Sequence, residues 1–239
     1  MLVPGNDLCG EFYVPLAEEM ASRGISTTLL TLPGYHGLPG LDTPGWGPMV
    51  DDLEGALATH LEGGGTLIGH SLGGLLALLL AARRPAQVER LVLLEPAVVP
   101  WRWVARLGAK QYQRVVVRGD RSRFLNEPGA FRRVHDLERF PPWAIDLHLE
   151  VRQKSDPAVS EGLIESLVPA YPLPVEDVRV PALWLRGAGS GRWPWLAAGL
   201  MRRRFRGLTV EVIEGAAHWL ANEQDGAVAD AVARFAGAS

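Results

Sequence analysis

Gly65-Thr-Leu-Ile-Gly-His-Ser-Leu-Gly-Gly-Leu-Leu-Ala-Leu-Leu-Leu-Ala-Ala82 is the stretch around which the chain is organised. Thr66 to Ile68 is a short apolar run that reads as a buried strand. Leu75 to Ala82 is almost pure Leu and Ala, which suits a buried helix. Between them, Gly69-His-Ser-Leu-Gly73 must turn a strand sharply into a helix, which strains the central residue. Neighbours two positions away then have no room for side chains, and Gly69 and Gly73 meet that need. Such a turn lifts the Ser71 hydroxyl off the sheet and sets a helix N-terminus beneath it, making Ser71 a candidate nucleophile. The Leu72 N–H becomes a candidate donor to a developing oxyanion.

Composition narrows the field. A chain of 239 residues, 47% of them hydrophobic, fits one larger domain or one domain carrying an insertion. Its net charge of −3 gives no reason to expect nucleic acid or an anionic membrane as partner. The single cysteine, Cys9, excludes an internal disulfide and reads as a small buried residue. Pro4, Gly5, Asn6 and Asp7 interrupt any apolar opening run, and Leu75 to Ala82 is too short to cross a bilayer. No signal segment, no membrane span and a cytoplasmic setting are therefore expected.

Working outward, Met1 to Val3 reads as a strand end, Phe12 to Arg23 as a helix stopped by Gly24, and Ile25 to Leu32 as a strand. Trp46 to Leu61 has helical spacing, with His60 near its end. Val88 to Leu94 is apolar enough for a central parallel strand. From Ala97 to about Asp177 the alternation breaks into helix-like pieces interrupted by prolines. It resumes with a strand over Val180 to Arg186, a helix over Trp193 to Phe205, a strand over Leu208 to Ile213 and a closing helix over Glu223 to Phe235.

The Gly69-His-Ser-Leu-Gly-Gly74 turn, the opening Leu2-Val-Pro-Gly-Asn6 and the late Gly215-Ala-Ala-His-Trp219 resemble the α/β-hydrolase superfamily, above all its small esterase and lipase-like members. The resemblance implies an α/β fold: a mostly parallel sheet flanked by helices, with a Ser–acid–His triad on loops at the strand ends. It divides the chain into a core, 1–96 and 178–239, and a helical cap, 97–177, inserted after the strand that follows the nucleophile helix. Trp101, Trp103, Trp143 and Trp219 are candidates for the substrate pocket. Phe124, Phe131 and Phe140 could also roof it or simply fix the cap to the core.

By the same resemblance the general base is His218, which follows the last strand. His36, His60, His70, His135 and His148 lack that position, and His70 should point away from the site. The residue after the glycine of the first loop, Asn6, is implied as the second oxyanion donor. The family more often has His-Gly where this chain has Pro4-Gly5, and a plain turn there is the alternative. Most members supply an Asp shortly after the strand matching Val180 to Arg186, but Leu185-Arg-Gly-Ala-Gly-Ser-Gly-Arg192 holds no carboxylate. Glu95 stands where some members, certain haloalkane dehalogenases among them, carry the acid instead. A Ser–His dyad is the alternative.

The implied activity is cleavage of a small-molecule carboxylic ester through an acyl-enzyme. Thioester, lactone or carbon–carbon cleavage, acyl transfer, and ligand binding without catalysis are the competing readings. Dehalogenase and epoxide chemistry need Asp where this chain has Ser71. The scattered histidines and lone cysteine show no metal-ligand spacing, so neither metal nor cofactor is expected. Ala97 to Arg139 carries ten basic residues against four acidic. That bias is either a solvated face or an attraction for an anionic substrate or acyl carrier.

Overall fold

Parallel pairing organises the computed structural model, which describes residues 1–98, 101–112, 141–167 and 173–237. Its elements run β1 (Leu2–Val3), a 3₁₀ turn (Gly10–Tyr13), α1 (Val14–Ala21), α2 (Trp46–His60), β2 (Thr66–His70), α3 (Leu72–Arg83) and β3 (Arg90–Leu94). There follow α4 (Arg102–Tyr112), α5 (Pro142–Lys154), α6 (Pro157–Leu167), β4 (Ala182–Gly187), α7 (Arg192–Arg204), β5 (Leu208–Ile213), α8 (Leu220–Glu223) and α9 (Asp225–Ala236). The strands form one sheet in the order β1-β2-β3-β4-β5, each pair parallel. This is the α/β-hydrolase fold.

The apolar runs of β3 and β4 follow from burial on both faces of the sheet. Leu91 and Leu93 enter one core with α2, α3 and α7, together with Ala182 and Trp184. Val92, Leu94, Leu183 and Leu185 enter the other, with α1 and α9. Because every strand points the same way, all the loops at their carboxyl ends gather on one edge, where open α/β sheets build their sites.

Two local expectations shift. Ile25 to Leu32 makes no strand of its own: Leu29 bridges Leu2, with Leu2 N–H donating to Thr28 O and Leu30 N–H to Leu2 O. Its neighbour β1 is two residues long and offers no more ladder than that. The Phe12 to Arg23 helix is a 3₁₀ turn leading into α1, and the chain reverses at Gly24, φ 76°. Among the described residues, no helix is long and apolar enough to cross a membrane.

Of the segment 97–177, helices α4, α5 and α6 are described; α6 lies against α4 and α2, and α5 against the 3₁₀ turn. Phe124, Phe131, Phe140 and His135 lie outside the described residues, as do seven of the ten basic positions, Arg114 to Arg139.

Candidate active site

Strain marks the site. Among the described residues, four non-glycine residues have positive φ: Asp7 (54°), His36 (51°), Ser71 (51°) and Glu95 (42°). Asp7, Ser71 and Glu95 follow the carboxyl ends of β1, β2 and β3. A positive φ costs a side-chain-bearing residue free energy, and such residues gather where function demands them. At Ser71 the surrounding glycines explain how the turn closes. A Cβ on Gly69 would run into the Gly73 and Gly74 backbone, and one on Gly73 into Val3 O and Pro4 O. Leu72 is the first residue of α3, so its N–H has no carbonyl a turn earlier and faces outward beneath the hydroxyl.

His218 reaches this turn from the far side of the sheet. Its Nε2 lies 3.1 Å from Ser71 Oγ. The backbone of His218 is held by His70, whose Nε2 lies 2.9 Å from His218 O. A carbonyl needs a donor, so Nε2 of His70 carries the proton and Nδ1 accepts from the Tyr13 hydroxyl, 2.7 Å away. Tyr13 Oη in turn accepts the Gly5 N–H at 3.0 Å. One buried chain of hydrogen bonds thus ties the first loop to the segment bearing His218. His70 is fully buried and burial lowers its pKa to about 4, so it stays neutral. Contrary to the sequence expectation, its ring does not turn away from His218 but lies 5.1 Å from that ring and anchors the His218 backbone.

Glu95 is buried at the end of β3. Its Oε1 accepts the Gly187 N–H at 2.7 Å and the Ser190 hydroxyl at 2.5 Å. These bonds run to the end of β4 and not to His218. Burial raises the Glu95 pKa, opposed by the two hydrogen bonds and by the Arg186 guanidinium, while Glu223 adds to the rise. Arg186 is itself buried, and its Nε and Nη1 lack hydrogen-bond partners. Gly187 permits the close approach of the loop bearing His218, since a Cβ there would strike Ala216 O and Ala217 O. That loop is also tied by Glu223, whose Oε2 accepts the Ala217 N–H at 2.5 Å.

Asn6 lies in the loop after β1, and a Cβ on its neighbour Gly5 would come 3.4 Å from Ser71 Cβ. The Asn6 amide oxygen accepts from the Tyr35 hydroxyl at 2.6 Å and from Ser160 of α6 at 3.2 Å. Ser160 also donates to Asp7 at 3.1 Å, and Arg152 of α5 pairs with Asp7 at 3.5 Å with both side chains buried. The loop bearing Asn6 is therefore fixed from the 97–177 segment. Tyr13, Tyr35, Asp7, Arg152, Ser160, Ser190 and Glu223 carry no motif that would single them out. Ser190 alone had a signal, standing in the stretch where a carboxylate is missing.

The four tryptophans separate into two pairs. Trp219 contacts the rings of His218, His70, Phe12 and His148, at 5.3, 5.7, 5.7 and 5.4 Å between centroids. Trp143 joins that group through Phe12 at 6.3 Å. Trp101 and Trp103 stack on one another at 6.1 Å, and both are exposed. An apolar aromatic wall beside a serine–histidine pair is what an acyl chain would meet.

Residues 1–231 match the Alpha/beta hydrolase family. The chain is 29% identical over 226 residues to a pimeloyl-[acyl-carrier protein] methyl ester esterase of Aromatoleum aromaticum, covering 86% of each. Among solved structures it resembles MenH from S. aureus, with a TM-score of 0.78 at 16% identity, covering 98% of this chain and 91% of that one. It also resembles an esterase from Exiguobacterium antarcticum, with a TM-score of 0.77 at 15% identity, covering 99% and 90%. At those identities the structural likenesses speak for the fold.

Proposed function

The chain belongs to the alpha/beta hydrolase family, and on that premise we propose that it cleaves carboxylic esters through an acyl-enzyme on Ser71. The observation that carries this is the 3.1 Å approach of His218 Nε2 to a Ser71 hydroxyl on a strained turn at a helix N-terminus. A serine hydroxyl is a weak nucleophile until a base takes its proton. His218 takes it as Oγ attacks the ester carbon. The N–H groups of Leu72 and Asn6 stabilise the oxyanion, which collapses as the imidazolium returns the proton to the leaving alkoxide. Water, activated by the same histidine, then releases the acid.

Glu95 is the third member. Its two hydrogen bonds fall on Oε1, which leaves Oε2 to face Nδ1–H of His218 as the imidazolium forms. Ser190 is a positioning residue for that carboxylate. Residues 97–177 form the cap, and Trp219 and Trp143 line the acyl side of the pocket. The stacked, exposed Trp101 and Trp103 fit an outer rim better.

The Aromatoleum relative is named a methyl ester esterase, so methyl esters head the test panel. Turnover should be measured on methyl and longer alkyl esters beside the matching thioesters. Ester cleavage that vanishes in Ser71→Ala supports the reading. A chain active only on the thioesters would replace it with a thioesterase, and one inert on all would leave a binding protein.

A further inference from the structure

We infer that Cys9, Glu11 and His36 form a binding site for a divalent transition-metal cation of the zinc class, separate from the serine–histidine centre. One ligand atom from each of the three lies within 4.8 Å of the others. A thiolate, an imidazole and a carboxylate are the donors that zinc accepts in tetrahedral sites, leaving a fourth position for water. The sulfur disfavours magnesium and calcium, which prefer oxygen donors. Bringing the three onto one ion needs only a small contraction. Glu11 Oε2 and His36 Nδ1 stand 3.9 Å apart, against about 3.3 Å expected for two ligands on tetrahedral zinc at standard bond lengths.

The surroundings favour the same reading. His36 Nδ1 faces Glu11, while its Nε2 lies 3.5 Å from Glu150 Oε1 on α5. Glu150 is fixed by Lys154 at 2.6 Å. A metal-binding histidine ordinarily donates its second ring N–H to a carboxylate of this kind, which orients the ring. The His36 backbone, at a positive φ, is held by Ser155 Oγ at 3.1 Å, and the neighbouring Gly37 N–H by Lys154 O at 3.0 Å. Cys9 is buried, while Glu11 is exposed and gives an ion its path of entry. Burial, with the adjacent Glu11 carboxylate, pushes the Cys9 thiol up to about 12. A metal ion binding Cys9 must displace the thiol proton. Cys9 and Glu11 follow the loop bearing Asn6, and His36 lies in the loop before α2, against Glu150 and Lys154 of α5. An ion here would clip the loop to the 97–177 segment.

Cobalt(II) alone is the probe. The chain has one cysteine, so a near-ultraviolet thiolate-to-cobalt charge-transfer band reports on Cys9 and nothing else. The expected result is one cobalt per chain with that band, displaced by zinc, and a zinc-dependent rise in Tm. Glu150→Gln should weaken binding by about 10–100-fold, and Glu11→Gln and His36→Gln by at least as much. These three residues are partly exposed, so their variants test the site without disturbing the buried cysteine. A missing charge-transfer band at saturating cobalt overturns the inference. So does unchanged affinity in His36→Gln.

Discussion

The end of the site that carries Ser71, the proposed nucleophile, and the end that carries Glu95, the proposed acid, are built in opposite ways. Ser71 is positioned by a single contiguous stretch, with β2 feeding it, α3 leaving it and Gly69 and Gly73 making the room between. Glu95 is positioned by pieces far apart in the chain, since Gly187 and Ser190 meet it across the β3–β4 pairing. Local construction leaves a signature in sequence, because spacing alone dictates it. Assembly across strands leaves none, because it depends on register.

The comparison breaks hardest at the nucleophile. Ser71→Ala should lower kcat on the order of a million-fold. Thermal stability should hardly change, since the side chain is spent on chemistry and not on packing. Steady-state kinetics beside a melting curve checks both, and residual activity of a few per cent contradicts the assignment.

At the other end, Glu95→Gln should lower kcat by about three to four powers of ten, with KM far less affected. Its effect on stability should run the other way. The Glu95 pKa is raised by folding, so the native state binds more protons than the unfolded one in that window. Ionised Glu95 thus costs stability as pH rises, and the amide should melt no lower than wild type near neutrality. Adding Ser190→Asp to Glu95→Gln should restore part of the lost rate if the acid can be moved between strand ends. An activity loss within tenfold for Glu95→Gln would point to a dyad.

Ser190→Ala should be milder. A hydrogen bond to a charged acceptor contributes about 1.5–3 kcal/mol, equivalent to a loss in kcat of about ten- to a hundredfold. Ser190→Thr should retain most of the rate, which separates orientation of Glu95 from a general loss of structure.

The smallest effect concerns the buried chain through His70. Its pKa falls from 6.5 to about 4 on folding, so the unfolded chain binds the extra proton first. The stability it supplies is complete above pH 6.5 and is lost as pH falls toward about 4. Tm should therefore fall less steeply with acid in His70→Asn than in wild type, whatever its starting value. Parallel slopes would mean that His70 titrates no differently in the two states.

The same contrast explains what could be read in advance. The fold and the Ser71 turn were legible because each rests on a local pattern, while the position of His218 came from the family resemblance. Glu95 entered as the proposed acid only because Leu185 to Arg192 lacks a carboxylate. The hydrogen bond from Ser190, the Tyr13–His70 chain and the Arg152–Asp7 pair were not legible, since each joins residues that are far apart in the chain or on different elements. Ile25 to Leu32 looked like a strand because its composition is right, yet pairing is decided by the partner, and β1 is too short to supply one. The Cys9–Glu11–His36 group was not legible because His36 comes from a separate loop that meets Cys9 and Glu11 only in the fold.

The most direct test is intact-mass measurement after treatment with a fluorophosphonate, followed by peptide mapping. Expected is a single phosphonyl adduct on Ser71, absent in Ser71→Ala and formed far more slowly in His218→Ala. An unmodified wild-type chain that still hydrolyses ester, or an adduct on any other residue, would contradict an acyl-enzyme on Ser71.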